Sequence, residues 1–265
     1  MTSHPAPTTA TPDAATDGPP RRRRASRQRA WLPPLIVLSV LFLVFSLPPY
    51  LGFDPAKSRL PTRADYPLHY PLLVGHIMFG SVALLAGCLQ VWPWLRGRFP
   101  SVHRWSGRLY LFGGVFPAGV LVLGAAPVSS TGFTSAVGNT TLAVLWLGTA
   151  AAGYRAARQR RFADHRTWMV RNFALTLSIV FNRVWLILFL VLIEVPSVAG
   201  LFGGDETTRI QTAAAASVWL SWVANLLFAE WYVLRRKPAP PRKPASPRKP
   251  TNSRHPPSAA ARSRR

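Results

Sequence analysis

The chain has 265 residues, 49% of them hydrophobic, and carries 32 Lys and Arg against 9 Asp and Glu, a formal charge of +23. Half-apolar composition and a charge of that size cannot share one compact soluble surface. Cys88, the single cysteine, excludes a disulfide scaffold. The charge concentrates at the ends: residues 1–30 hold six Arg and two Asp, and residues 235–265 hold 11 Lys and Arg and no acid. The body, 31–234, is long and apolar, which points to a polytopic membrane protein.

Segment 1–30 is rich in Pro, Ala, Ser, Thr and Arg. It lacks the aliphatic surface needed to offset chain entropy, so it is expected to be disordered. Arg21, Arg22, Arg23 and Arg24 before an apolar run resemble a twin-arginine export signal. However, the run is 20 residues long and Ser46-Leu47-Pro48-Pro49-Tyr50-Leu51-Gly52 offers no small-x-small cleavage site, so it is read as a retained anchor.

A bilayer core needs about 20 apolar residues as helix, because backbone groups find no water there. Six stretches meet this: 31–50, 71–95, 103–125, 138–157, 167–193 and 211–234. The expected fold is therefore all-α, a six-transmembrane-helix bundle. Pro117 should kink the third span by removing a hydrogen bond, and the small, Ala-rich fourth span should pack inside. Segment 235–265 repeats Arg-Lys-Pro at 242–244 and 248–250 and is again expected to be disordered. It has no aromatic residue to stack on bases, so it is read as a topology signal attracted to anionic lipids, about 1 kcal/mol per basic residue, and not as a nucleic-acid arm.

Basic residues set the orientation. The two tails and the loops after the second and fourth spans hold 27 of them, the alternate loops only Lys57, Arg59, Arg63 and Arg209, and Arg183 falls inside a span. The positive-inside rule then puts both termini in the cytoplasm of a cell carrying this protein in its plasma membrane. Trp31, Trp92, Trp94, Trp105, Trp168 and Trp231 fall at that same boundary.

Inside the bundle a pattern repeats. His76, Gly80, Ala83, Gly87 and Gln90 recur at helical spacing along one face, and His103, Gly107, Tyr110, Gly114 and Pro117 reproduce it 27 residues later. A third stripe runs His165, Met169, Asn172, Thr176, Ile179, Arg183. Glycine stripes are also ordinary packing faces, and Arg104, Arg108, Arg166 and Arg171 can snorkel to the interface. Intramembrane polar residues are costly, and Arg183 beside Asn182 lies deepest; neither Glu194 nor Glu230 is sure to reach it, which leaves room for a ligand anion.

Neutral imidazoles, a smooth glycine face and nearby Arg together suit haem b, whose iron takes axial His and whose propionates seek Arg. The candidate ligands are His76, His103 and His165, with His103 and His165 able to share one haem iron if the third and fifth spans are neighbours. Gly80, Gly107, Arg108, Arg171 and Arg183 are the candidate supporting residues. Zinc would accept three His, but His76 lies on the side opposite the other two, and no carboxylate lies in a span interior.

His76-x3-Gly80, Gln90, the Arg96/Arg98 loop and His103-Arg104-Trp105-Ser106-Gly107-Arg108, then Asp164-His165-Arg166-Thr167-Trp168-Met169-Val170-Arg171, resemble the bacterial membrane family known as domain of unknown function 2306. The resemblance covers roughly 70–190 and implies a multi-pass membrane protein with no assigned activity. The first two elements are also similar to two consecutive helices of the cytochrome b561 superfamily. That second resemblance implies haem ligands at His76 and His103, with Gly80, Gln90, Gly107 and Arg108 beside them.

Three functions follow as expectations. One is a haem b-binding membrane electron carrier working with a quinone or a membrane reductase. A second is a non-redox carrier or lipid-binding protein holding an anionic headgroup at Arg183 and Asn182. The third is a structural or partner-binding membrane protein. No soluble catalytic domain or acid–base pair marks the chain as an enzyme.

Overall fold

The computed structural model describes residues 31–63, 65–200 and 205–235, and among them every regular element is helical. The disorder expected for 1–30 and 235–265 concerns residues outside that set, Arg235 excepted.

The first helix, α1 (Leu32–Ser46), opens with prolines, whose missing N–H groups have no intrahelical acceptor in a first turn. It stops at Leu47, because Pro48 and Pro49 disfavour helix before them, and a single turn, α2 (Pro48–Leu51), follows. The chain then folds back through a 3₁₀ turn, Pro55–Lys57, capped by Asp54. Helix α3 (His69–Gln90) and the short α4 (Pro93–Arg98) divide at Trp92-Pro93, so the second expected span ends before Leu95.

The next stretch starts at α5 (Pro100–Tyr110), passes through a π-helical segment, Leu111–Val115, into α6 (Phe116–Ala125) and ends in a 3₁₀ turn, Ala126–Val128. Pro117 was expected to kink this span. Just ahead of it the chain widens into a π turn, the kind of local adjustment that accommodates a missing donor in a membrane helix.

Helix α7 (Phe133–Arg158) spans 26 residues. The fifth expected span is two helices, α8 (Phe162–Thr176) and α9 (Ser178–Leu192), joined at Leu177. After the turn α10 (Pro196–Ala199), helix α11 (Glu206–Leu234) is the last regular element among the described residues.

Four of these helical stretches are long and apolar enough to cross a membrane: His69–Gln90, Pro100–Val128, Phe162–Leu192 and Glu206–Leu234. The other two expected spans are helical but fall short of that standard. Helix α1 has only 15 residues before its break, and α7 dilutes its apolar content with Thr, Ser, Asn and Gly.

Helix α3 packs along α5 and α6, α7 along α8, and α9 along α11, with α1 against α3. The core is small-residue and aromatic: Ala83, Ala86, Ala118 and Ala150 fit around Tyr110, Trp146 and Trp222. The outward faces are apolar as well; Ile187 and Val191 are about two-thirds exposed. A surface of that kind suits lipid rather than water.

Candidate functional site

The two duplicated stripes face each other. Helices α3 and α5–α6 run antiparallel, so descending one stripe climbs the other. A β-carbon placed on Gly114 would lie 2.8 Å from the Cα of Ala83, and one on Gly87 would meet the rings of Phe173 and Tyr110 at 2.9 and 3.1 Å. Gly107 lies against the Gln90 side chain. Gln90 Nε2 donates to the His103 carbonyl at 3.0 Å and to Ser106 Oγ at 2.6 Å. These glycines are consumed by helix–helix packing. Of the glycines on these two stripes, Gly80 has open space where a side chain would go.

The histidines separate. His76 donates Nδ1–H to the Ala118 carbonyl at 3.0 Å, since a carbonyl can only accept, and its ring meets Trp146 edge-on at 6.4 Å. His165 likewise donates Nδ1–H to the Gly153 carbonyl, at 2.9 Å. Both rings therefore keep Nε2 as the free nitrogen. His103 is different: its Nδ1 is buried and has no hydrogen-bond partner. It lies within electrostatic reach of His165 and Arg96, so these two imidazoles share one end of the bundle and His76 does not join them.

A haem between α3 and α5–α6 does not fit this packing. The flat faces it needs at Gly87, Gly107 and Gly114 are filled by Phe173, Tyr110, Gln90 and Ala83, and His76 is engaged with Ala118 and Trp146. Among the described residues, no three His, Cys, Asp or Glu side chains are grouped to hold a metal ion.

The third stripe supplies a polar knot instead. Tyr110 Oη donates to Asn172 Oδ1 at 2.6 Å and lies 2.7 Å from Thr176 Oγ1. Asn172 Nδ2 donates to the Trp146 carbonyl at 2.7 Å and to Thr149 Oγ1 at 2.8 Å, while Trp146 Nε1 donates to Thr176 Oγ1 at 2.8 Å. Thr176 in turn donates to the Asn172 carbonyl at 3.0 Å. Every side-chain donor and acceptor of Asn172 is thus used at zero exposure. The sequence pattern places Tyr110, Asn172 and Thr176 on the stripes but does not reveal that they bond across them; nor does it single out Trp146.

The arginines divide by partner. Arg108 is exposed and stacks over Trp105 at 4.7 Å. Arg171 forms a two-point ion pair with Glu230, Nη2 to Oε2 at 2.9 Å, and lies over Trp168. Glu194 is taken by Arg209, 2.5 Å away. Arg183 therefore has no carboxylate within ion-pair distance among the described residues. Its Nη1 reaches only the Asn182 amide oxygen at 3.4 Å, and Asn182 donates onward to Ser217 Oγ at 3.0 Å. Tyr50 and Arg59 lie within its electrostatic reach, two neighbours that sequence spacing could not supply because they come from α2 and the following turn.

With every regular element among its described residues helical, apolar outer faces and buried polar contacts between helices, this is a membrane protein. Residues 73–233 match the family described as "Predicted membrane protein (DUF2306)", and the chain belongs to that family. Comparison with curated proteins and with solved structures gives no match, so the cytochrome b561 resemblance gains no support.

Proposed function

We propose that this protein is a six-span protein of the plasma membrane, with both termini cytoplasmic, that binds an anionic amphiphile at Arg183. The 27-to-4 division of basic residues supports the orientation, and the basic tails add attraction to anionic lipid. The observation that carries the functional reading is the fate of the acids. Glu194 and Glu230, the carboxylates that could neutralise Arg183, are bound to Arg209 and Arg171. A cation inside a bilayer needs a counter-charge, and an anionic ligand beside Asn182 supplies it.

The test is native mass spectrometry of the purified full-length protein. Wild-type chain should retain an anionic lipid that Arg183→Gln loses, while Arg108→Gln retains it. Equal retention by wild type and Arg183→Gln would remove the proposal.

One observation favours a second reading, a b-type haem at the other end of the bundle with a quinone or membrane redox partner. His103 has a buried, unpartnered Nδ1 and His165 stands near it. A dithionite-reduced minus oxidised spectrum decides this: a Soret shift lost in both His103→Ala and His165→Ala supports it, and a flat spectrum after haem supplementation ends it.

A further inference from the structure

The start of α7 and the first turns of α11 enclose a cavity of about 360 Å³, within the size of small-molecule sites, roughly 300–1,000 Å³. Further along, the two helices close on each other. A β-carbon on Gly138 would stand 2.9 Å from Val218 Cγ1 and 3.0 Å from Trp219 Nε1. Trp219 Nε1 donates to the Thr134 carbonyl at 3.1 Å, which holds the indole against the cavity. Neither Arg183 nor Asn182 lines it.

The lining is polar and carries no charged side chain. Ser135 is 1% exposed, and its hydroxyl is buried with no hydrogen-bond partner. Such a group is costly until a ligand bonds it. Helix α7 starts at Gly132 with no side chain capping it, so its first-turn N–H groups remain as donors. Thr208 and Thr212 donate their hydroxyl hydrogens to Asp205 Oδ2 and to the Thr208 carbonyl, which leaves their oxygens as acceptors. Gln211 adds an amide that both donates and accepts; its Oε1 would lie 3.7 Å from a β-carbon on Gly132.

Charge is disfavoured in both signs. An anion would face the Asp205 carboxylate across the Thr208 hydroxyl, and a cation would face the positive end of α7. An uncharged ligand whose groups donate and accept at once fits instead. A sugar has that chemistry, since each hydroxyl does both, and the Phe133 and Trp219 rings offer apolar surface to its C–H faces. Phe133 also lines an apolar groove of about 280 Å³ along α7, with Val137 and Thr141, where an alkyl chain joined to the sugar finds a place. We propose that the cavity between α7 and α11 binds the sugar head of a glycoside through Ser135, Gln211 and the uncapped α7 N–H groups. The sugar comes either on a lipid or free in solution.

The experiment uses the full-length protein in phosphatidylcholine nanodiscs, titrated calorimetrically against empty discs. The probes are octyl glucoside, octyl galactoside, octanol, octanoate and the two free sugars. The better octyl glycoside should bind about tenfold or more tighter than octanol or octanoate, the gain from two or more added hydrogen bonds. Ser135→Ala should weaken it about threefold to tenfold, and the ligand-free variant should unfold at the wild-type temperature or above, because an unpaired buried hydroxyl is gone. Gln211→Ala, at an exposed position, should weaken the glycoside comparably without risk to the fold. Arg183→Gln should bind it as wild type does, which separates this site from the anion site. A free sugar that binds as tightly as its octyl glycoside identifies a soluble source; weaker binding identifies a lipid. Equal binding of octanol and both glycosides, tighter binding of octanoate, or wild-type affinity in both Ser135→Ala and Gln211→Ala overturns the sugar assignment.

Discussion

Gly114 and Ala83 touch backbone to backbone: a β-carbon on Gly114 would stand 2.8 Å from the Ala83 Cα and 2.9 Å from its nitrogen. No side-chain rotation can relieve that contact. Gly114→Ala should therefore push α3 and the π-helical segment Leu111–Val115 apart and lose about 1–3 kcal/mol, the usual range for overpacking. Gly80→Ala, on the same pair of stripes, meets open space and should be neutral or gain up to about 1 kcal/mol from helix propensity. Thermal unfolding of both variants in detergent checks the contrast. Equal behaviour would mean that the stripes do not pack as described.

The knot around Asn172 should behave as a unit. Tyr110→Phe removes the donor to Asn172 Oδ1 and should cost about 1 kcal/mol, whereas Asn172→Ala loses that bond together with those from Nδ2 to the Trp146 carbonyl and Thr149 Oγ1, raising the loss to about 2–3 kcal/mol. The double variant should lose less than the sum of the two single losses, because the Tyr110–Asn172 bond can be forfeited only once. Additive losses in the double-mutant cycle would contradict the network.

These two features mark how far the sequence can be read. Apolar length and the spacing of Arg clusters locate the helices, because both are local properties of the chain. The glycine stripe is visible too, but its meaning depends on what it faces. A smooth face suits a flat cofactor or a neighbouring backbone equally, and only the antiparallel register of α3 against the stretch α5–α6 brings Ala83 onto Gly114. The break at Leu177 has no proline or glycine to announce it. Arg183 stands out as a charge in an apolar run, yet its neighbours Tyr50 and Arg59 lie more than a hundred residues away in sequence. The spacing of His76 and His103 resembles a ligand pair, whereas the fold sends each to a different environment.

His76 gives a direct test of that separation. Its Nδ1–H serves the Ala118 carbonyl, so His76→Leu should lose the bond and about 1 kcal/mol of stability. His76→Gln retains a donor amide and should recover part of that loss. Neither variant should change the reduced-minus-oxidised absorption spectrum relative to wild type. A spectral band lost with His76 would place a haem where the helices are packed together.

Asp205 ties the start of α11 to pH. Its carboxylate accepts from the Thr207 and Thr208 amides, each at 3.2 Å, and from the Thr208 hydroxyl. The Thr208 hydroxyl is the largest influence and holds the carboxyl below the ordinary aspartate range. A folded-state value below the unfolded one means the stabilisation is fully present above the ordinary aspartate range and lost as pH falls through the lowered value. Asp205→Ala should therefore speed amide hydrogen exchange at Thr207 and Thr208 near neutral pH relative to wild type. The gap should close in acid, where the wild-type carboxylate is protonated and accepts these hydrogen bonds more weakly. A difference that stays constant from neutral to acid pH would show that the cap does not depend on the charge.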